Sequence, residues 1–162
     1  MKIRALVVIA ALFVASAQLW CATDAASGFA TLKNLAGQWE TKGPDGNPTV
    51  VTWTAVSAGS AMMEEMPHKN MVTMYHLDND RLLMTHYCSA GNQPRMQAEV
   101  SPDGKTITFN FLDATNLASP VDGHMHRMVL AVRDKDHFSE QWFFSQGGKD
   151  VHTETFQYAR KQ

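Results

Sequence analysis

The chain has little cysteine and no dense charge of either sign. Two cysteines in 162 residues, Cys21 and Cys88, exclude a small fold held by a disulfide framework. They allow one optional bridge in an oxidising compartment, or two free thiols. Lys and Arg number 14 against 16 Asp and Glu, for a formal net charge of −2. No Lys/Arg run and no RNA-binding motif appears, which excludes nucleic acid as the expected partner. No apolar run reaches the roughly 20 residues of a membrane-spanning helix. Helical periodicity never lasts beyond two turns, and there is no internal repeat. The chain also lacks G-x-S-x-G, His-Glu-x-x-His and any phosphate-binding loop. Familiar hydrolase, metalloprotease and nucleotide-binding chemistries are therefore not indicated.

What is present begins with a leader. Lys2 and Arg4 precede an apolar run, Ala5 to Ala15, of about eleven residues, followed by Ala15-Ser16-Ala17. Positive residues, a short apolar stretch and small residues in that order predict a secretory signal peptide. Cleavage is expected after Ala17, with a site near Ala25 as second choice; an uncleaved anchor is the rival reading. The predicted organisation is a signal peptide over 1–17, a mobile tail over 18–30 and a single domain over 31–162. The expected location is periplasmic or secreted, with no transmembrane segment in the mature protein.

Hydrophobic residues make up 44% of the chain and charged residues 19%, which suits one globular domain. Beyond a short helical turn at Ala30 to Gly37, turn chemistry recurs: Gly43 to Pro48, Leu77 to Arg81, Ser101 to Lys105, Arg133 to His137 and Gln146 to Lys149. Ten runs between these points read as strands: Gly37–Thr41, Thr49–Val56, Ala61–Met66, Met71–Leu77, Arg81–Cys88, Arg95–Ser101, Thr106–Leu112, His126–Arg133, Phe138–Ser145 and Val151–Ala159. Across the Asp103-Gly104 turn, Val100 should face Ile107, Ala98 face Phe109, and Met96 face Phe111, all on one apolar face that ends at Asp113. A meander of this kind hides its edges best by closing. The prediction is an all-β, antiparallel up-and-down barrel of about ten strands, with a β-sandwich as runner-up. A barrel of that size is expected to enclose a ligand cavity.

Gly37-Gln38-Trp39 follows the helical turn and enters the first strand. That opening resembles lipocalins and their calycin relatives, in which the Trp packs across the barrel floor. The whole mature chain resembles the lipocalin-like small barrels of bacteria, and Tyr75 to Met96 is similar to a stretch of such exported proteins. A ten-strand barrel with G-x-W and an inner histidine is also similar to the nitrobindin type, which implies haem. The chain has no Cys-x-x-Cys-His and no clear match to that family's haem-bearing segment.

Candidate site residues follow from the faces of the strands. His124 and His126 lie two apart, so a regular strand points them to one side. Pairing Asp134 with His137 puts His126, Met128, Leu130 and Val132 on a face with Ser139, Gln141 and Phe143, joined by His152, Glu154, Phe156 and Tyr158. That face is expected to line the barrel; a one-residue bulge would exchange it for the opposite one, which carries Glu140, Trp142 and Phe144. His124, His126 and His152 are the ligand types of a divalent metal site, and equally the polar spots of a wet cavity. His86, Asn92, Arg95 and Asp113 are expected at one rim, where Arg95 would take a carboxylate, or else pair with Asp113. The methionine-rich stretch Met62 to Met74 could offer soft ligands to copper, but reads better as flexible packing. His86 and Cys88 share a strand face, without an orienting carboxylate for catalysis. The expected function is binding of a small, mainly apolar and possibly carboxylate-bearing molecule, with Tyr75, His86, Arg95, His124, His126, Gln141 and Phe143 as lining or rim. No cofactor is required by that reading. The alternatives are a metal- or haem-binding barrel, with or without enzymatic activity, through His124 and His126, and an assembly factor with no small ligand.

Overall fold

The computed structural model describes residues 19–43 and 46–162, with side chains from Ala25 onward. The predicted leader and its cleavage site at Ala17 lie outside the described residues.

All ten predicted strands are present: β1 Gly37–Lys42, β2 Pro48–Val56, β3 Ala61–Met66, β4 Met71–Asp78, β5 Arg81–Tyr87, β6 Gln93–Val100, β7 Thr106–Thr115, β8 His124–Asp134, β9 His137–Gln146 and β10 Lys149–Arg160. Each pairs antiparallel with its sequence neighbours, and β10 returns to β1 to close the barrel. Tight turns set this order. Gly147 and Gly148 both have positive φ, at 64° and 72°, the two-residue turn whose twist matches a hairpin and which side chains with a Cβ disfavour.

The β6–β7 hairpin has the expected register: Val100 opposite Ile107, Ala98 opposite Phe109, Met96 opposite Phe111. The pairing then shifts at a bulge between Arg95 and Met96, so that Arg95 stands opposite Asp113. Leu112 is the extra residue. It is exposed, and Asp113 turns outward instead of ending the inner face.

One helix, α1, runs from Leu19 to Asn34, in place of the short turn and of much of the tail expected over 18–30. Ala25, Phe29 and Leu32 are buried, and their spacing of four and three places them on one helical face. That face caps the end of the barrel beside β4, β5 and β6. A Cβ added at Gly28 would stand 2.7 Å from Val100 Cγ2 and 3.1 Å from Leu82 Cδ2, so glycine allows the helix to sit this close. Trp39 is fully buried beside the helix end. Its indole donates to Leu35 O at 2.7 Å, it meets Phe138 edge-on at 4.7 Å, and the Arg160 guanidinium covers its ring at 4.1 Å. Arg160 also donates to Ala36 O and Asn34 O. Arg160 thereby ties the end of β10 to the junction between α1 and β1.

β1 and β10 pair only at Trp39 with Arg160 and Glu40 with Ala159. Beside this short seam lies a groove of about 550 Å³, lined by Glu40, Thr41, Lys42, Pro48, Thr155 and Gln157.

Candidate functional site

The inner faces of β8, β9 and β10 decide what the barrel contains. Met128 and Leu130 on β8 point inward, as do Phe156 and Tyr158 on β10, in agreement with the expected face. β9 is the exception. Its buried residues are Phe138, Glu140 and Trp142, while Ser139, Gln141 and Phe143 lie on the outer face, only partly covered. The reason is a bulge on each side of β9. Asp134 does stand opposite His137, but the register shifts between Val132 and Asp134, so Leu130 faces Glu140 and Met128 faces Trp142. A second shift between Asp150 and His152 restores Phe156 opposite Glu140 and Tyr158 opposite Phe138. Gln141 and Phe143 are therefore not lining residues. Phe143 instead lies under the Arg127 guanidinium, 3.8 Å from its ring centre.

The exchange brings two carboxylates together inside the barrel. Glu64 on β3 alternates with Met62 and Met66 on the inner face, and Glu140 comes from β9; both are fully buried. Each Oε2 has donors. Tyr75 donates to Glu64 at 2.8 Å. Trp142 Nε1 donates to Glu140 at 3.0 Å and the Tyr158 hydroxyl at 3.4 Å. Each Oε1 has no donor from the rest of the protein. The two carboxyl groups are within hydrogen-bonding reach of each other, so a single proton held between them turns two competing acceptors into one hydrogen bond. Burial is the main cause that raises both groups, Glu64 well above the usual carboxylate range and Glu140 to about 7. Burial and the neighbouring carboxylates also push the Tyr75 and Tyr158 hydroxyls up, keeping them as donors.

A transverse row of side chains extends the pair. Trp53 stands opposite Glu64, Glu64 opposite Thr73, and Thr73 opposite His86 on successive strands. His86 Nδ1 is 2.9 Å from Thr73 Oγ1, and its ring rests 4.5 Å from that of Trp142 across the lumen. Burial pushes His86 down to about 4, so its imidazole is neutral. Its Nε2 is buried without a partner, and so is Trp53 Nε1. The Trp53 ring stacks on Tyr75 at 5.1 Å. Around this row five methionines are buried, Met62, Met66, Met84, Met96 and Met128.

The other expected residues lie elsewhere. Tyr75 and His86 are inside, as just described. His124 is buried at the end opposite α1. Its Nδ1 is 2.7 Å from Asp122 O and its ring 4.6 Å from that of Phe111. His126 falls at the bulge between Met125 and Arg127, half-buried, with Nε2 2.6 Å from Asp150 Oδ1. The two imidazole centres are 6.5 Å apart, so the bulge breaks the shared side that regular alternation implied. His152 is exposed. Among the described residues no three His, Cys, Asp or Glu side chains are grouped to hold a metal ion. Asn92 is buried and donates to Gly123 O at 2.8 Å, which ties together the two long loops at this end. Arg95 lies on the outer wall, in a two-pronged pair with exposed Asp113. At the same end as His124, Lys69 pairs with Glu154 at 2.9 Å and lies 5.4 Å over the Phe156 ring.

Sequence reasoning missed Glu64 and Glu140 as a pair. The available signal was a glutamate framed by core residues at positions i−2 and i+2: Met62 and Met66 around the first, Phe138 and Trp142 around the second.

No family model matches the chain, and no curated protein matches it. Among solved structures it is distantly similar to Rv2717c from M. tuberculosis, 14% identical with a TM-score of 0.49, covering 83% of this chain and 97% of that one.

Proposed function

We propose that this chain is an exported, lipocalin-like barrel that binds a small molecule in its interior. The observation that carries the reading is the make-up of that interior. A barrel built for stability alone would fill with hydrocarbon. This one buries two carboxyl groups with only a shared proton between them, and an imidazole nitrogen and an indole N–H with unmet hydrogen bonds, the last two costing about 1–3 kcal/mol each. It surrounds them with methionines, whose unbranched side chains re-pack around different shapes at low cost. Polar groups of this kind fix a ligand's orientation while apolar ones supply burial. The parted strands beside the β1–β10 seam offer a way in. Trp39 across the floor supports the lipocalin-like assignment, and Lys2, Arg4 and the apolar run after them support export.

Native mass spectrometry of the protein, purified gently from cells that make it, tests this. The expected result is an organic adduct that remains in a variant with both His124 and His126 changed to Ala. A metal or haem adduct lost in that double variant would overturn the reading in favour of the histidine-based alternative.

A further inference from the structure

We propose that the Glu64–Glu140 pair is the recognition site for a small protonated amine, whose ammonium takes the place of the proton held between the two carboxyl groups. This rests on the small-molecule reading above and names the ligand's chemistry.

Three observations point the same way. First, the interior has more acceptors than donors. Apart from the proton they share, Glu64 Oε1 and Glu140 Oε1 have no donor, and neither has Asn92 Oδ1, whereas Trp53 Nε1 is the inner donor without an acceptor. His86 Nε2 joins the acceptors if Thr73 spends its one hydroxyl proton on Glu64, which it also faces, because Thr73 Oγ1 then accepts from His86 Nδ1–H. An acceptor-rich enclosure selects a ligand that brings N–H groups and positive charge, and disfavours a carboxylate. Second, among the described residues no Lys or Arg supplies a counter-charge to either carboxylate. Their neighbours are Tyr75 on β4, Thr73 and His86 on β4 and β5, and Trp142 and Tyr158 on β9 and β10. Lys69, the cation at the mouth, is held by Glu154. Third, the walls around the pair are aromatic side chains. Trp53, Tyr75, Trp142 and Tyr158 all reach it, and such rings attract a desolvated cation. Five buried methionines surround the pair, and their flexible side chains can re-pack to admit a small ligand.

Binding conserves charge simply. The shared proton leaves to solvent as R–NH₃⁺ enters, so uptake releases one proton and strengthens as pH rises. Glu140 takes up a further proton at about 7, which must also leave, so affinity should fall by more than about tenfold between pH 8 and pH 6. The test is titration of the full chain with phenethylammonium chloride, followed by tryptophan fluorescence. Calorimetry in two buffers of different ionisation enthalpy counts the protons. Phenethyl alcohol, phenylacetate and sodium chloride are the controls. The expected result is saturable binding of the amine alone, about one proton released at pH 8, the stated pH dependence, and at least tenfold weaker binding in Glu64→Gln and in Glu140→Gln. Equal binding of amine and alcohol, or no saturable response to amine at pH 8, overturns the proposal. The comparison between ligands uses the unmodified protein, so it stands even if a variant fails to fold. If the amine fails while a fluorescent fatty-acid probe binds, the small-molecule reading survives and the amine site does not. If neither binds and the native spectrum is bare, both fall.

Discussion

Replacing Glu140 with Gln should make the protein less sensitive to alkali, and the size of the effect follows from the buried pair. An ordinary glutamate loses its proton near 4.5, whereas Glu140 in the fold keeps it to about 7. Between those values the native state holds a proton that the unfolded state has released. Stability is therefore highest at or below pH 4.5, falls as pH rises, and levels off above 7. From pH 5 to pH 8 this group alone removes roughly 2–3 kcal/mol, at about 1.4 kcal/mol per unit. Glu64, raised still further, adds a slope of the same sign. His86 opposes them. Its folded value near 4 lies below the ordinary 6.5, so its contribution is lost as pH falls through that interval. Below pH 6.5 His86 thus offsets only one of the two glutamates, and the difference between the unmodified protein and Glu140→Gln isolates the contribution of Glu140. That variant keeps the size of the side chain, an acceptor for Trp142 and a donor toward Glu64, but cannot ionise. Urea unfolding at pH 5 and pH 8 should show Glu140→Gln gaining roughly 2–3 kcal/mol on the unmodified chain between the two, a midpoint shift of about 1–2 M for usual urea slopes. A difference that does not change with pH would refute the shared-proton arrangement.

Other perturbations report on the frame around the pair. Trp39→Ala should cost about 3–5 kcal/mol, read by urea unfolding, because it empties the floor and leaves Leu35 O and the Arg160 guanidinium without their partner. Gly28→Leu should destabilise by about 1–3 kcal/mol despite the better helix propensity of leucine, since Val100 and Leu82 already occupy the space; a thermal melt decides it. Arg95→Ala should change stability by less than about 1 kcal/mol and leave ligand affinity unaltered by titration, because its pair with Asp113 lies on the outer wall.

The strands were legible because each sits between turn residues with a mechanism, such as Asp103-Gly104 and Gly147-Gly148, and β6–β7 could be paired residue by residue. Bulges were not legible. An extra residue costs no characteristic side chain, yet it turns every later residue to the other face. One at Leu112 moved Asp113 from the inside to the surface. Two around β9 exchanged Gln141 and Phe143 for Glu140 and Trp142. That is why Glu140 was expected on the outer face, and why Glu64, inside the methionine-rich stretch, was not singled out. The helix was half legible. Ala25, Phe29 and Leu32 have helical spacing, but Ser27 and Gly28 interrupt a short segment, and its packing partners come from strands about forty or more residues away.

The short seam also determines when the barrel can exist at all. Nine of the ten strand pairings join neighbours in sequence and can form as local hairpins while the chain is still growing. The tenth joins Trp39 to Arg160, and bringing such distant residues together costs about 3 kcal/mol more chain entropy than closing a hairpin. Until Arg160 arrives, β1 is a bare edge and the half-made sheet holds Glu64 and Glu140 open to water, ionised and repelling one another. Arg160, with its bonds to Asn34, Ala36 and Lys135, acts as a clasp. Closing it should be the slow, late event in folding, and taking up the proton between the two glutamates should coincide with it, so refolding ought to be slower at pH 8 than at pH 6.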